Sequence, residues 1–271
     1  MSISRQEFLN FRDFLKQSSG IALSDSKQYL VNNRLRPLMV ESGLDNLSDL
    51  LSMIHAMPNK DLAVKAVDAM TTNETFWFRD VSHFHYLEAT LFAELSRINS
   101  SIRVWSAACS SGQEPYSISL SFNKYLEACG QKSPSLQIVA TDISDSVLGR
   151  ARNGIYADLE LSRGLPNGLK DSHFSGVKGG WQISLPHRSR VNFSQLNLLS
   201  DFSSLGQFDI IFCRNVLLYF SAETKKDVLV RMLQRMKQGA YLFLSSSEIP
   251  PREFNNLQTI RVAGCKCYRK V

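Results

Sequence analysis

Apolar residues recur at helical spacing through the first seventy positions of the chain and change rhythm after residue 100. Ser4 and Glu7 form a capping-box pair, and Phe8, Phe11, Phe14 and Leu15 then fall on one face of a first helix. A second helix is predicted from about Asp25 to Ser42, closed by Gly43, with Leu30, Val31, Leu35, Leu38 and Met39 on one side. Pro37 marks a kink or a restart within it. Leu47, Leu50, Leu51 and Ile54 predict a third helix, and Leu62, Ala66, Val67 and Met70 a fourth. Arg34 lies within the apolar arc of the second helix, so it either pairs internally or faces a partner, whereas Arg36 points away. A solvated or structurally paired arginine is the simpler reading of each.

Residues 71–80 break this pattern. Phe76, Trp77 and Phe78 are consecutive and flanked by Asn73, Thr75, Arg79 and Asp80, which reads as a linker that packs its rings and offers polar groups to a site. A helix follows from about Ser82, with Phe84, Leu87, Leu91 and Leu95 on one face. His83 and His85, two apart, point about 200° from each other on it and do not form a metal pair.

From residue 101 the pattern alternates between short apolar runs and amphipathic stretches, which predicts an α/β domain with a doubly wound sheet. The strands are Ile102–Ser106, Leu136–Asp142, Arg190–Phe193 with Gln195–Leu199 after it, Phe208 onward, and Ala240–Ser245, with an antiparallel pair over 257–270. Helices are expected from Glu114, from Ser144 to Asn153 and from about Ala222 to Lys237. Glycines and prolines punctuate residues 154–190 around Trp181–Leu185, which predicts a small β-hairpin insertion over about 158–190. The expected organisation is a helical domain over 1–70, a linker and helix over 71–100, and the α/β domain over 101–271.

Composition narrows the class. A hydrophobic fraction of 44% and a charged fraction of 21% are those of a globular protein, and no apolar run approaches the roughly 20 residues of a membrane span. The start, Met1 to Glu7, turns polar at once and is not read as a signal peptide. Five cysteines without framework spacing suit a reducing compartment, so a cytoplasmic location is expected. Residues 1–100 carry 10 basic and 12 acidic side chains and residues 101–271 carry 21 and 13, so the basic excess behind the net charge of +6 lies in the α/β part. A nucleic-acid reading rests on that surplus alone, because no basic block is interleaved with aromatics.

The candidate chemistry gathers at strand ends. The first strand runs into the small-residue turn Ala107–Gly112 and then Glu114-Pro115, which opens a helix. That is the nucleotide-cradling corner of such folds, but it keeps a single glycine of GxGxxG and sets an acid where a pyrophosphate would lie. A cofactor with a cationic end and no phosphate fits better, and S-adenosylmethionine has those properties. Asp142, ending the second strand, is placed for ribose hydroxyls. Arg214 and Asn215, ending the fourth, are placed to touch cofactor, with Tyr219 slightly beyond. Cys265 and Cys267 share a strand face and read as packing residues, so no metal is expected.

Three spaced segments carry a family resemblance: Asn73-x-Thr75-x-Trp77-Phe78-Arg79-Asp80, Val104-Trp105-Ser106-Ala107-Ala108-x-Ser110-x-Gly112-x-Glu114-Pro115-Tyr116-Ser117, and Phe212-Cys213-Arg214-Asn215-Val216-x-x-Tyr219-Phe220. Together, and in this order, they resemble the CheR family of chemoreceptor glutamate methyltransferases over nearly the whole chain. The resemblance implies a Rossmann-like methyltransferase sheet with an all-helical N-terminal domain and an inserted β-subdomain. It implies methyl transfer from S-adenosylmethionine to glutamate side chains on the cytoplasmic helical bundle of a receptor, leaving S-adenosylhomocysteine. By the family's motif positions, Asn73, Thr75, Arg79, Glu114, Asp142, Asn197, Leu198, Arg214 and Asn215 contact cofactor. Glu114 takes the ammonium, Asp142 the ribose, and Asn197 with Leu198 the adenine. Arg79 and Tyr219 lie nearest the methyl. Arg34 and Arg36 are the implied receptor-docking residues, on a helix less basic than the family pattern. Some members tether to a receptor pentapeptide through a glycine-bearing loop; the segment Phe174–Trp181 is short for that loop, so no tether is expected. A monomer that neither inserts in membrane nor binds nucleic acid is expected. The competing readings are a nucleic-acid methyltransferase and a non-catalytic module that binds S-adenosylmethionine.

Overall fold

The computed structural model describes residues 3–56, 60–129 and 134–271. The chain divides into two compact units. The first contains α1 (Arg5–Ser19), α2 (Gln28–Glu41), α3 (Leu47–Ala56) and α4 (Lys60–Met70), joined by the segments Asn197–Leu199 and Tyr219–Lys225. The capping box is present: Glu7 N–H donates to Ser4 Oγ at 3.3 Å and Ser4 N–H to Glu7 Oε2 at 2.9 Å. Phe8, Phe11, Leu15, Val31, Leu35 and Leu50 are buried at the predicted spacing. The second helix begins as a 3₁₀ turn, Asp25–Lys27, and its α-helical part runs through Pro37 to Glu41. Arg34 takes the internal one of its two readings: Nη1 donates to the carbonyls of Met70 and Thr71 at 2.8 and 2.7 Å, and Nη2 to Thr72 Oγ1 at 3.1 Å. It therefore satisfies backbone acceptors at the end of α4 that have no intrahelical partner. Arg36 is exposed.

The second unit begins with the aromatic linker. It continues through α5 (Val81–Tyr86), a π-helical segment Leu87–Leu91 and α6 (Phe92–Ser96). The α/β part then alternates β1 (Ser101–Ala107), α7 (Gln113–Cys129), β2 (Ser135–Asp142) and α8 (Asp145–Asn153). The insertion follows as β3 (Ile155–Tyr156), α9 (Asp158–Ser162), α10 (Leu169–His173), β4 (Phe174–Val177), β5 (Gly180–Ile183) and α11 (Leu185–Arg188). The main sheet resumes with β6 (Val191–Gln195), β7 (Phe208–Cys213), α12 (Ala222–Arg235), β8 (Met236–Phe243), β9 (Leu257–Val262) and β10 (Cys265–Lys270).

The seven-stranded sheet has the order β6-β2-β1-β7-β8-β10-β9, with β10 antiparallel to both neighbours. The order reverses between β1 and β7, and the carboxyl ends of parallel strands flanking such a point form the ligand crevice of open α/β sheets. All six residues of β7 are buried, as a central parallel strand covered on both faces requires.

Three expectations are corrected. The insertion is a three-stranded sheet, β3-β5-β4, that starts at Ile155, not a hairpin starting near 158. The third main-sheet strand ends at Gln195, so Leu196–Leu199 do not continue it. The last long helix ends at Arg235 and the strand after it starts at Met236, with a register irregularity between Phe208 and Ile210. Among the described residues no helix is long and apolar enough to cross a membrane, and no group of three or more metal-ligating side chains gathers.

The three linker rings diverge. Phe76 lies under the Arg79 and Arg163 guanidiniums at 5.2 and 5.9 Å. Trp77 packs edge-on against Tyr156 and Phe174 of the small sheet at 4.9 and 5.5 Å. Phe78 meets Phe84, which stacks on Phe212, which stacks on Phe243 at 4.5 Å. The linker is thus fixed to the insertion by one ring and to the central sheet by the next. At its contact with the insertion, Gly164 has φ +90°, and a Cβ there would stand 2.2 Å from the Trp77 carbonyl oxygen. Gly164→Ala is expected to lower the thermal midpoint by about 5 °C or more, since strain of this kind costs roughly 2 kcal/mol. Scanning calorimetry that found less than about 1 °C would show that this contact yields freely.

Candidate active site

β1 hands the chain to α7 through a turn whose residues leave ordinary backbone space. Ala108, Ser110 and Gly112 have φ of +57°, +50° and +97°. Gly112 is demanded twice, by its φ and because a Cβ would meet Ala151 Cβ and Tyr156 Oη at 3.0 Å. The turn curls around an acid. Ser110 N–H donates to Asp142 Oδ2 at 2.8 Å, and Ser144 N–H to Asp142 Oδ1 at 3.0 Å. Asp142 is nearly fully buried. Ser110 Oγ donates to the Asn73 carbonyl at 2.8 Å, so the linker is pinned to the same turn.

Glu114 stands in the first turn of α7, its Oε1 accepting from Ser106 Oγ at 2.7 Å and its Oε2 from Arg214 Nη1 at 2.8 Å. Burial pushes its carboxyl above the ordinary value, against the opposing charge of Arg214 and the Ser106 hydroxyl. Arg214 follows the end of β7, its side chain 2% exposed. Its Nη2 donates to Asp80 Oδ2 at 2.7 Å and to the Arg79 carbonyl. Burial alone would raise the Asp80 carboxyl, but the hydrogen bond and charge of Arg214 outweigh it and hold it below its ordinary value. One guanidinium thus joins the end of β7, the start of α7 and the end of the linker.

Sequence reasoning missed one buried carboxylate, Glu248. It accepts backbone N–H groups from Asn215 at 2.9 Å, Val216 at 3.0 Å, Leu218 at 3.3 Å and Ser245 at 3.1 Å, and the Ser245 hydroxyl at 2.6 Å. Asn215 has φ +58°, so Glu248 holds the post-β7 loop in a strained turn and ties it to the end of β8. The available signal was Ser245-Ser246-Ser247-Glu248 just past a predicted strand, where polar groups meet the crevice.

The structure brings Asn73, Arg79, Glu114, Asp142, Arg214 and Asn215 into one connected region of the second unit, with half-buried Thr75 on the same linker. Asn197, Leu198 and Tyr219 belong to the first unit. There Asn197 Nδ2 donates to the Ser18 carbonyl at 2.6 Å, and the Tyr219 carbonyl accepts from Ala22 N–H at 2.8 Å. Non-glycine residues with positive φ mark the same region: of the six among the described residues, Phe78, Asp80, Ala108, Ser110 and Asn215 all lie in it.

The donor set decides which cofactor fits. An anion cradle needs free backbone N–H groups, but the amide of Ser110 is already taken by Asp142. Asp80, Glu114, Asp142 and Glu248 outnumber the guanidiniums of Arg79 and Arg214. The corner therefore suits a ligand with cationic groups and hydroxyls and repels a pyrophosphate, and S-adenosylmethionine meets both conditions. The family model of the CheR methyltransferase SAM binding domain matches residues 73–263, and that of the CheR methyltransferase all-alpha domain matches residues 6–71. The chain belongs to the CheR methyltransferase family. Its relatives include the chemotaxis protein methyltransferase Cher2 of Pseudomonas putida and chemotaxis protein methyltransferase 1 of Pseudomonas aeruginosa, each 46% identical over 252 residues, with 92% of both chains covered. The chemotaxis protein methyltransferase of Vibrio parahaemolyticus is 45% identical over 249 residues, covering 92% of this chain and 90% of its own. As a CheR-family methyltransferase, the chain uses S-adenosylmethionine, and its sheet and corner are the binding domain of that family.

Two outcomes are expected. In its implied role of holding the cofactor's ammonium Glu114 must be ionised, and its folded value is raised. Affinity for S-adenosylhomocysteine should therefore fall as pH is lowered through a range that begins above the ordinary 4.5. Glu114→Gln should bind about tenfold more weakly and lose this pH dependence in calorimetry; an unchanged pH profile in the variant would remove Glu114 from the ammonium site. Glu248→Ala leaves several buried N–H groups without an acceptor and should cost about 3 kcal/mol in denaturant unfolding.

Proposed function

We propose that the protein methylates glutamate side chains on the cytoplasmic helical bundle of a bacterial chemoreceptor, as adaptation in chemotaxis requires. The observation that carries this reading is the Asp80–Arg214–Glu114 chain. It fixes a cation-binding carboxylate, the aromatic linker and the post-β7 loop around one point. When bound, S-adenosylmethionine supplies an electrophilic methyl: a carboxylate oxygen bonds to it as the carbon–sulfur bond breaks, with the electron pair going to sulfur. A glutamate carboxyl, with a reference value of about 4.3, is already ionised at neutral pH, so no general base is needed. The chain's residues have instead to bind, orient and exclude water.

In this reading Glu114 holds the ammonium and Asp142 the ribose hydroxyls, while Asn197 and Leu198 take the adenine. Asn73, Thr75, Arg214 and Asn215 complete the cofactor contacts. Arg79 orients the carboxylate or the cofactor, and Tyr219 hydrogen-bonds the nucleophile. Arg79 is half-buried with its guanidinium over the Phe76 ring; its charge acts on Asp80 and Glu114, but among the described residues it forms no direct ion pair, so its N–H groups can meet an incoming carboxylate. Of the two docking arginines, exposed Arg36 suits receptor contact better than Arg34, whose guanidinium is engaged with the end of α4. The reading includes no pentapeptide tether: Val177 pairs with Gly180, so only Lys178 and Gly179 connect β4 to β5.

The test is methyl incorporation from labelled S-adenosylmethionine into a purified receptor cytoplasmic fragment, with the esterified residues identified by mass spectrometry. Arg79→Ala and Tyr219→Phe are each expected to lower kcat about a hundredfold, the lower end of the range for losing one positioned donor. Normal turnover in both variants would refute these roles, and label that appears on nucleic acid instead of as base-labile ester on receptor would overturn the substrate class.

A further inference from the structure

A cavity of about 290 Å³ opens beside the site, lined by Asp80, His83, Ser245, Ser246, Lys266 and Tyr268 among others. It lies where β8 ends and β10 begins, on the crevice side of the parallel strands. It shares two walls with the machinery above. Asp80 is paired to Arg214, and Ser245 donates to Glu248, which holds the Asn215 loop. The volume is just below the roughly 300–1,000 Å³ of sites for whole small ligands, and suits an amino-acid side chain.

Its polar groups are not satisfied by the fold. His83 and Tyr268 are each 5% exposed, yet His83 Nδ1 and Tyr268 Oη have no hydrogen-bond partner among the described residues. Buried polar atoms of this kind normally have partners. Lys266 is half-buried, its ammonium 5.4 Å from the Tyr268 ring centre, and no carboxylate among the described residues pairs with it. The other charge in the cavity, Asp80, is already committed to Arg214. Burial lowers His83 to about 4, so it is neutral at physiological pH. A backbone contact with Lys266 acts on the same ring. The cavity thus offers an ammonium for an anion, with the unpartnered Tyr268 hydroxyl and the neutral His83 imidazole beside it.

We infer that this cavity is a substrate subsite that takes an acidic side chain of the polypeptide being methylated, with Lys266 as its charge partner. The inference rests on the reading of a protein substrate given above. A polypeptide matches this set: a carboxylate for Lys266, and backbone amide groups, which both donate and accept, for Tyr268 and His83. A free carboxylate lacks the last, and a dianionic phosphate would meet a single ammonium. Lys266 and Tyr268 stand two apart on β10 and point to the same side of the sheet, so one side chain can meet both.

The experiment is steady-state methylation of a receptor cytoplasmic fragment by the full chain, wild type against Lys266→Met, Lys266→Glu and Tyr268→Phe, with S-adenosylhomocysteine calorimetry and thermal melts in parallel. Lys266→Met is expected to raise KM for the fragment about tenfold and Lys266→Glu further, with kcat and cofactor affinity within about twofold of wild type. Tyr268→Phe should raise KM about threefold. Added salt should raise the wild-type KM and move that of Lys266→Met much less, because the screened attraction is gone; loss of a merely structural lysine would leave the salt response intact. An unchanged KM in Lys266→Glu, or a KM change matched by equal loss of cofactor affinity, overturns the subsite while the methyltransferase reading stands. A wild-type protein that binds S-adenosylhomocysteine but methylates no receptor fragment overturns the substrate reading and the subsite with it.

Discussion

Everything at the site depends on one buried guanidinium. Arg214 is nearly inaccessible and touches three segments far apart in sequence: Glu114 at the start of α7, Asp80 and the Arg79 carbonyl in the linker, and its own strand end. A cation taken out of water is tolerable only if its partners are well placed, and removing one partner of such a pair typically costs about 3–5 kcal/mol. The segments therefore hold each other. The linker has no regular structure of its own to keep Phe78 and Asp80 at positive φ; the bond from Arg214 to Asp80 and the ring contacts of Trp77 and Phe78 do so. The arrangement also leaves Arg214 over-subscribed. Burial raises the Glu114 carboxyl, and Arg214, which divides its charge between two carboxylates, offsets this only in part. In the proposed role of Glu114, a ligand ammonium at that carboxylate would complete the compensation and couple cofactor binding to the rigidity of the corner.

Backbone strain concentrates where this network can support it. Of the five strained non-glycine residues of the site, Ala108, Ser110 and Asn215 follow the ends of strands whose cores are dense with rings, and Phe78 and Asp80 lie in the linker packed beside them: Phe212 lies between Phe84 and Phe243, and Trp105 packs on Phe202 and Phe208. Strained turns persist only when their surroundings over-determine them. Here the over-determination comes from buried carboxylates that accept backbone N–H groups, Asp142 for the first turn and Glu248 for the second. Both acids shape the crevice from within the fold, and Glu248, with five donors on its two oxygens, is fully engaged in doing so.

Much of this was legible in the sequence because it rests on local rules. Helical periodicity gave the four N-terminal helices, and apolar runs ending in Asp142 and Arg214 gave the strands and their functional ends. What escaped was set by contacts distant in sequence. β3 is two residues long and exists because Ile155 and Tyr156 pair with Gln182 and Trp181. Met236 and Lys237 looked like the tail of a helix, but pairing of β8 with β7 draws Met236 opposite Phe208. Glu248 follows three serines in a segment with no periodicity, and only the folded chain shows that the Asn215 loop closes on it. Arg34 was ambiguous because a cation at the edge of an apolar arc can serve a partner or a helix end, and the carbonyls it meets are 36 and 37 residues away.

The basic surplus of the second half has a structural explanation that composition could not supply. Several of those cations satisfy backbone carbonyls or buried acids inside the fold. Arg103 bonds the carbonyls of Gln207 and Leu205, Lys270 those of Leu233 and Met236, and Lys237 holds Asp209 at the foot of β7. Arg214 belongs to the same group. Cations used this way add to the net charge but present little of it to a partner, and they are scattered through the sheet and not arranged in a stripe that could follow a phosphate backbone. The charge that matters for recognition is the fraction not tied into ion pairs, and in the crevice that fraction is small and specific: Arg79 beside the aromatic linker, whose charge acts on Asp80 and Glu114 without a direct ion pair, and Lys266 in the adjoining cavity. In the proposed function these two cations meet acidic side chains of the substrate one at a time, which suits esterification of single carboxylates on a protein surface.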